Sequence, residues 1–143
     1  MKGGDALVRC LELEGVRYIS GFAGGGLNVL WPALRASETI KVFATRHERL
    51  GVEVADGYAR ATGQVGVAMT GSGPGATNTL TGIAGAFADT IPVLLLMGQI
   101  ALNNLGKEYQ QEVPSSIFDN LVKWKATINR VDEIPDIMRR AFT

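Results

Sequence analysis

Four short apolar runs, at residues 16–20, 40–44, 65–70 and 92–97, punctuate this chain, and the stretches between them carry apolar residues near helical spacing. The links between run and helix are short. Strands that alternate with helices in this way pair in parallel, because the helix makes the crossover from one strand to the next. The expected fold is therefore α/β, three layers αβα, with a doubly wound and mainly parallel sheet. At 143 residues the chain suits one domain with its own core, spanning 1–143.

Taken in order, residues 3–14 place Ala6, Leu7, Cys10, Leu11 and Leu13 on one helical stripe, which Gly15 stops. Residues 16–20 form a strand, and residues 21–26 are too glycine-rich for regular structure. Helical spacing resumes over 27–36, with Pro32 tolerable near its first turn. Residues 40–44 are the second strand and 45–63 a helix, with Gly63 as its stop. The run 65–70 reads as a strand buried on both faces, followed by a glycine loop at 71–75 and a helix over 76–88. Residues 92–97 are the most hydrophobic strand and are expected at the centre of the sheet. Residues 122–128 read as an edge strand. Asp132 is expected to cap a last helix with Pro135 in its first turn.

Composition narrows the function classes. Fourteen basic and fourteen acidic side chains give a formal net charge of zero, which offers no nucleic-acid surface. One cysteine, Cys10, excludes an internal disulfide, and its expected role is core packing on the first helix. One histidine leaves no His-based zinc cluster. No apolar run is long enough to span a bilayer and no signal-like stretch precedes Gly3, so no membrane contact is expected, and a cytoplasmic protein is.

Glu48 lies at a strand-to-helix junction, the edge of an open α/β sheet where ligands bind. A carboxylate there is either a solvated helix-start charge stabilised by the macrodipole or a chemical group. His47 reads as structural. The loop Gly71-Ser-Gly-Pro-Gly-Ala76 fits G-x-G-x-x-A after a strand and so invites a dinucleotide reading. Three features weaken that reading. It does not follow the first strand, Asp89 precedes the next strand instead of ending it, and Pro74 stiffens a turn that needs close backbone approach. The loop at 21–26 lacks the Lys-Ser/Thr of a P-loop.

These residues together carry a resemblance. His47-Glu48 followed by Ala55-Asp-Gly-Tyr-Ala-Arg-Ala-Thr-Gly63 is similar to the pyrimidine-binding (PYR) domain of thiamine diphosphate enzymes, in the acetolactate synthase and pyruvate oxidase group. Ser72-Gly-Pro-Gly-Ala-Thr-Asn78 resembles that family's glycine loop. Gly82-Ile-Ala84 through Asp89-Thr-Ile-Pro92, and Gly98-Gln99 with Gln111-Glu112, resemble its later segments. The resemblance covers nearly the whole chain.

It implies that Glu48 hydrogen-bonds N1′ of the cofactor's aminopyrimidine and activates the cofactor by sharing a proton there. That role asks for a carboxyl in an apolar, dry pocket, with Arg46 and Arg49 turned away. It implies further that Phe22, Ala23 and Gly24 in the first loop, with Gly73, Pro74 and Asn78 in the glycine loop, contact the cofactor. Gln111 matches a glutamine near the reacting centre, although a solvated loop glutamine is the alternative. Asp56, Tyr58 and Arg60 are implied as packing and interface residues, and Gln99 as an organiser of loops. Two departures stand out. Many relatives have Tyr or Phe followed by Pro where this chain has Phe22-Ala23, and Gln110 stands where a Phe is usual.

The resemblance also implies what this chain does not carry. In the family, Mg²⁺ and the diphosphate of thiamine diphosphate are held by a PP domain through Gly-Asp-Gly, a sequence absent here. No metal ligands are assigned in this chain, and middle and PP domains are expected outside it. FAD in a middle domain is open. The partner would be a PP domain of the same or another chain, in a homodimer or tetramer built through the Glu48 helix and the 76–88 helix. A non-catalytic module of PYR fold, or the alpha subunit of a split 2-oxo acid decarboxylase, remains an alternative.

Overall fold

In a computed structural model, which describes residues 1–22, 24–107 and 111–143, four strands form one all-parallel sheet in the order β2-β1-β3-β4. These are β1 (Tyr18–Gly21), β2 (Lys41–Ala44), β3 (Gly66–Thr70) and β4 (Val93–Met97). The helices are α1 (Gly3–Leu13), α2 (Trp31–Ala36), α3 (Glu48–Thr62), α4 (Pro74–Thr77), α5 (Leu80–Ala88) and α6 (Ile134–Ala141). Ile19 of β1 pairs with both Val42 and Val67, so β1 and β3 lie inside the sheet.

Alternation along β3 divides the core into two. Val67 and Met69 pack with Leu7 and Leu11 of α1, Leu34 of α2 and Met138 of α6. Ala68 points to the other face and packs with Val52 and Ala55 of α3 and Ile83 of α5. Successive side chains on a strand point to opposite faces, so helices on both faces make the expected αβα sandwich. Val52, Leu11, Ile19 and Met69 are each 2% exposed or less and anchor these layers.

Glycine sets how closely α3 approaches the sheet. A Cβ built on Gly51 would lie 2.9 Å from Cα of Gly21, and one on Gly66 would lie 2.0 Å from the Ala55 carbonyl oxygen. Ser20 of β1 donates its hydroxyl proton to the Gly51 carbonyl at 2.6 Å and ties strand to helix. Gly63 ends α3 in the left-handed region, φ 72°, as its position in the sequence indicates.

The structure corrects three expectations. Among the described residues β4 lies at the sheet edge, paired only with β3, and all five of its residues are half-buried. Its hydrophobicity reflects helices and loops over both faces: Leu94 and Leu96 meet one core, and Val93, Leu95 and Met97 the other. Residues 122–128 form no strand; Val122 packs on the second core and the Trp124 ring lies under the Arg140 guanidinium, 5.2 Å from its centroid. Asp132 does not cap α6 but pairs with Arg130, and it lies in a short 3-10 turn before the helix.

A smaller difference occurs at residues 76–88. They are not one helix; α4 and α5 are separated at Asn78 and Thr79. The Thr79 hydroxyl donates to the Ala76 carbonyl at 2.6 Å and the Thr77 hydroxyl to the Pro74 carbonyl at 3.0 Å. Such local hydroxyl bonds compete with the helix ladder for carbonyls.

One tie between α1 and the loop before β2 is pH-sensitive. Glu12 accepts from the Ser37 hydroxyl at 2.7 Å and the Thr39 hydroxyl at 3.2 Å. The Ser37 bond, aided by Arg9 and Thr39, holds the Glu12 carboxyl below its ordinary value of 4.5. A carboxyl lowered on folding stabilises the fold above its unfolded value, and that contribution is lost as pH falls through the lower folded value. Ser37→Ala is therefore expected to lower the urea midpoint most near neutral pH. Part of that difference should close when the unfolding curves are repeated well below the ordinary carboxylate range.

Candidate functional site

The C-terminal ends of β1, β2, β3 and β4 lie along one edge, and the loops that follow them meet there. The first and third loops touch main chain to main chain: a Cβ on Gly24 would lie 2.8 Å from Cα of Gly71. The Ser72 N–H donates to the Gly25 carbonyl at 3.2 Å, and the Gly98 N–H, just past β4, donates to the Thr70 carbonyl at 2.9 Å. A Cβ on Gly26 or on Gly98 would collide with the other's loop, at 2.8 Å from the Gln99 oxygen and 2.9 Å from the Gly25 oxygen respectively.

Glu48 is the first residue of α3 and stands beside these loops, half-buried. Its neighbour His47 caps the helix, with Nδ1 accepting from the Arg49 N–H at 3.2 Å. The histidine thus completes the helix start, as a structural residue would. Arg49 turns outward to pair with Glu53 at 2.6 Å, and Arg46 is exposed. The Glu48 carboxyl is held on one side: Asn78 Nδ2 donates to Oε2 at 3.0 Å. On the other side, the place where a Gly75 Cβ would stand is 3.7 Å from Oε1. The residue is half-buried where a dry pocket was expected, and Asn78 and Pro74 beside it are exposed.

The remaining residues expected at the site sort cleanly. Gly73 is buried with φ 60°, opening α4, and Pro74 occupies the first helical position. Gln111 is brought to the glycine loop, its Oε1 accepting from the Ser72 hydroxyl at 2.7 Å. Gly24 packs on Gly71, and Phe22 is exposed at the end of β1. Ala23 and Gln110 lie outside the described residues. Gln99 lies beside Gly26, and its side-chain oxygen accepts from the Ile100 N–H at 2.9 Å.

Sequence reasoning passed over Ser72 as an anchor, Gly75 as the space beside Glu48, and Thr70, a fully buried threonine at the end of β3. The signal for Thr70 was a polar residue closing an otherwise apolar buried strand. Asp56 and Arg60 act as a surface clasp. Arg60 pairs with Asp56 and Asp89 at 2.7 Å each, so α3 is tied to the end of α5. The two carboxylates raise the guanidinium above its ordinary value. Tyr58 stacks obliquely on Tyr18, with ring centroids 5.7 Å apart. An open groove of about 280 Å³ runs between α3 and α5, lined by Arg49, Glu53, Arg60, Gly82 and Asp89, away from the glycine loops.

A carboxyl at a strand-to-helix junction, faced by a glycine turn on a doubly wound parallel sheet, is the arrangement of a cofactor-binding α/β domain. Residues 1–120 match the family model of the thiamine pyrophosphate enzyme N-terminal TPP binding domain, and the chain belongs to that family. It is 42% identical over 143 residues to a probable acetolactate synthase large subunit of Methanocaldococcus jannaschii, covering 99% of this chain and 24% of the relative. It is 39% identical over 143 residues to the acetolactate synthase isozyme 3 large subunit of Escherichia coli, covering 99% of this chain and 25% of that protein. It is also 39% identical over 142 residues to the chloroplastic acetolactate synthase 2 of Nicotiana tabacum, covering 99% of this chain and 21% of that protein. The chain spans about a quarter of the length of the curated relatives it matches. Among the described residues no helix is long and apolar enough to cross a membrane.

Proposed function

We propose that this chain is the aminopyrimidine-binding part of a thiamine diphosphate-dependent lyase or carboligase of the acetolactate synthase kind, acting on a 2-oxo acid. The observation that carries the reading is the Glu48 carboxyl, half-buried at the ligand edge, tethered by Asn78 and facing the bare Cα of Gly75. The residues fit such a cofactor, because the glycine turns bring backbone rather than side chains to this edge, beside a carboxyl that could share a proton with a ring nitrogen. Gly73, Pro74 and Asn78 of the glycine loop and Phe22 and Gly24 of the first loop would contact the ring, with Gln111 towards the reacting centre; Ala23, expected with them, lies outside the described residues. When bound, thiamine diphosphate supplies the nucleophilic carbon that attacks the carbonyl of the 2-oxo acid. Glu48 would hold and share a proton at N1′, Asn78 would keep the carboxyl turned to that atom, and the buried loops would keep water from its rear face.

The sequence contains no Gly-Asp-Gly, so the reading assigns the diphosphate and Mg²⁺ to a PP domain of the same or another chain. Partner contact through α3 and α5 is supported by Leu50 and Phe87, two large apolar side chains left about half exposed there. Alternating charges beside them, Arg49 with Glu53 and Arg60 with Asp56 and Asp89, suit a second copy of the same face.

Calorimetric titration with thiamine diphosphate, with and without a PP-domain partner, tests the proposal. Alone, the chain is expected to bind weakly and to decarboxylate nothing. With the partner, affinity should rise at least about tenfold, equivalent to about 1.4 kcal/mol. Equal affinity in both arms, or turnover by the chain alone, would overturn it. No binding in either arm would leave a PYR-fold assembly module as the better reading.

A further inference from the structure

Ser72 is a polar residue buried in the glycine turn, 6% exposed. Its backbone is bonded on both sides: the N–H donates to the Gly25 carbonyl at 3.2 Å, and the carbonyl accepts from the Gly75 N–H at 3.2 Å. The hydroxyl therefore projects from a fixed point, where the first loop meets the turn. It donates to Oε1 of Gln111 at 2.7 Å.

Gln111 is half-buried and belongs to no helix or strand. Among the described residues from Gly98 to Pro114, regular structure is confined to a short 3-10 turn, Leu102–Asn104. The segment folds partly on itself, the Glu112 carboxylate accepting from the Gly106 N–H at 2.8 Å and the Lys107 N–H at 3.0 Å. It is seated on the ligand edge at its start by the Gly98 N–H on the Thr70 carbonyl, and near its far end by Ser72 on Gln111.

A glutamine amide has an acceptor end and a donor end. Ser72 occupies the acceptor end. What remains is the NH₂ group, two donors without a partner among the described residues. An ionised 2-oxo acid carries oxygen acceptors and no donor, so the NH₂ is the end that it can use.

We propose that Ser72 is a positioning residue for Gln111. Its hydroxyl holds the amide oxygen, seats the segment after β4 against the glycine turn, and leaves the amide N–H groups for an oxygen of the bound 2-oxo acid. The turn that carries Gly73 and Pro74 on the cofactor side thus also places a substrate-side donor. The identity of that ligand rests on the reading under Proposed function; the coupling of the two side chains does not.

A double-substitution cycle in the enzyme assembled with its PP domain tests the role. Ser72→Ala is expected to raise the KM for the 2-oxo acid about fivefold, the worth of one hydrogen bond, with thiamine diphosphate affinity within about twofold. In a Gln111→Ala background the same change should add less than about twofold. Equal KM effects in both backgrounds, or a loss of cofactor affinity that matches the rise in KM, would make Ser72 a structural residue of the turn and overturn the proposal. Gln111→Glu separates the two ends of the amide, because a carboxylate still accepts from Ser72 but cannot donate. It should raise KM at least as far as Gln111→Ala does; a KM near that of the wild type would overturn the donor role.

Nitrogen-15 relaxation of the Gln111 side-chain amide, in the cofactor-free protein, reads the coupling itself. The group should be ordered in the wild type and loosened by Ser72→Ala; equal mobility in both overturns the proposal. Should Ser72→Ala not fold, the wild-type amide decides alone: an ordered group supports the coupling and a freely mobile one overturns it. An ordered amide that depends on Ser72, in an assembled enzyme that binds no thiamine diphosphate, sinks the functional reading while the coupling stands.

Discussion

Glu48→Gln is expected to slow hydrogen–deuterium exchange at the C2 position of bound thiamine diphosphate by about 100-fold or more in the assembled enzyme, the usual worth of a positioned proton-transfer group. Cofactor affinity should change far less, because glutamine keeps the length of the side chain and an oxygen for the Asn78 donor. The substitution removes only the capacity to hold and release a proton. NMR exchange rates together with a binding isotherm separate these effects. Exchange within about threefold of wild type would show that the proton at N1′ is managed by another group. Stability offers a control, since Glu48 is half-buried and begins a helix that His47 already caps, so the urea midpoint should move little.

The largest effect on stability is expected at Gly66. A Cβ there would lie 2.0 Å from the Ala55 carbonyl oxygen and 2.6 Å from its carbon, and these are main-chain atoms that no rotamer change can move aside. Gly66→Ala must push α3 away from β3 along their closest contact. Overpacking of this kind costs about 3 kcal/mol, near the upper end of its usual range. For a chain of this size the melting temperature should fall by roughly 6–12 °C. Gly57 is the matched control: it lies inside α3 with nothing within 4 Å of a built Cβ. Gly57→Ala should stabilise by about 0.5–1 kcal/mol, since it removes backbone freedom from the unfolded chain at no steric cost. Opposite signs at two glycines of neighbouring elements would separate packing from propensity; a stable Gly66→Ala protein would show that α3 is not seated as described.

Features set by local pattern were legible in the sequence. β3 lies between Gln64 and a glycine loop as an apolar run closed by Thr70, and it is buried at every position. Gly63 closes α3 because a glycine after a helical stripe can take the left-handed conformation. Glu48 could be placed at the strand-to-helix junction beyond β2 from the order of strand and helix alone. Other features depend on partners distant in the chain. The position of β4 in the sheet was not legible, because helices over both faces demand the same apolar residues from an edge strand as from a central one. Residues 122–128 alternate apolar and polar side chains, but alternation forms a strand only where a neighbouring edge accepts it. The contact of Ser72 with Gln111 joins positions 39 apart, and the exposure of neither residue type signals it. The turn at Asn78 and Thr79 was hidden because an apolar stripe continues across it, while the buried Thr79 hydroxyl takes a carbonyl the helix needs.

The glycine loops leave a constraint on how this edge can vary. Gly24, Gly71, Gly26 and Gly98 press peptide against peptide, closer than any side chain permits. This edge thus presents the same polyamide surface whatever neighbours it acquires, and mutation there can only pry loops apart. Diversification of this edge, by natural drift or by a protein engineer, is confined to the side chains beside the glycines, such as Phe22 and Gln111, while the backbone stays fixed.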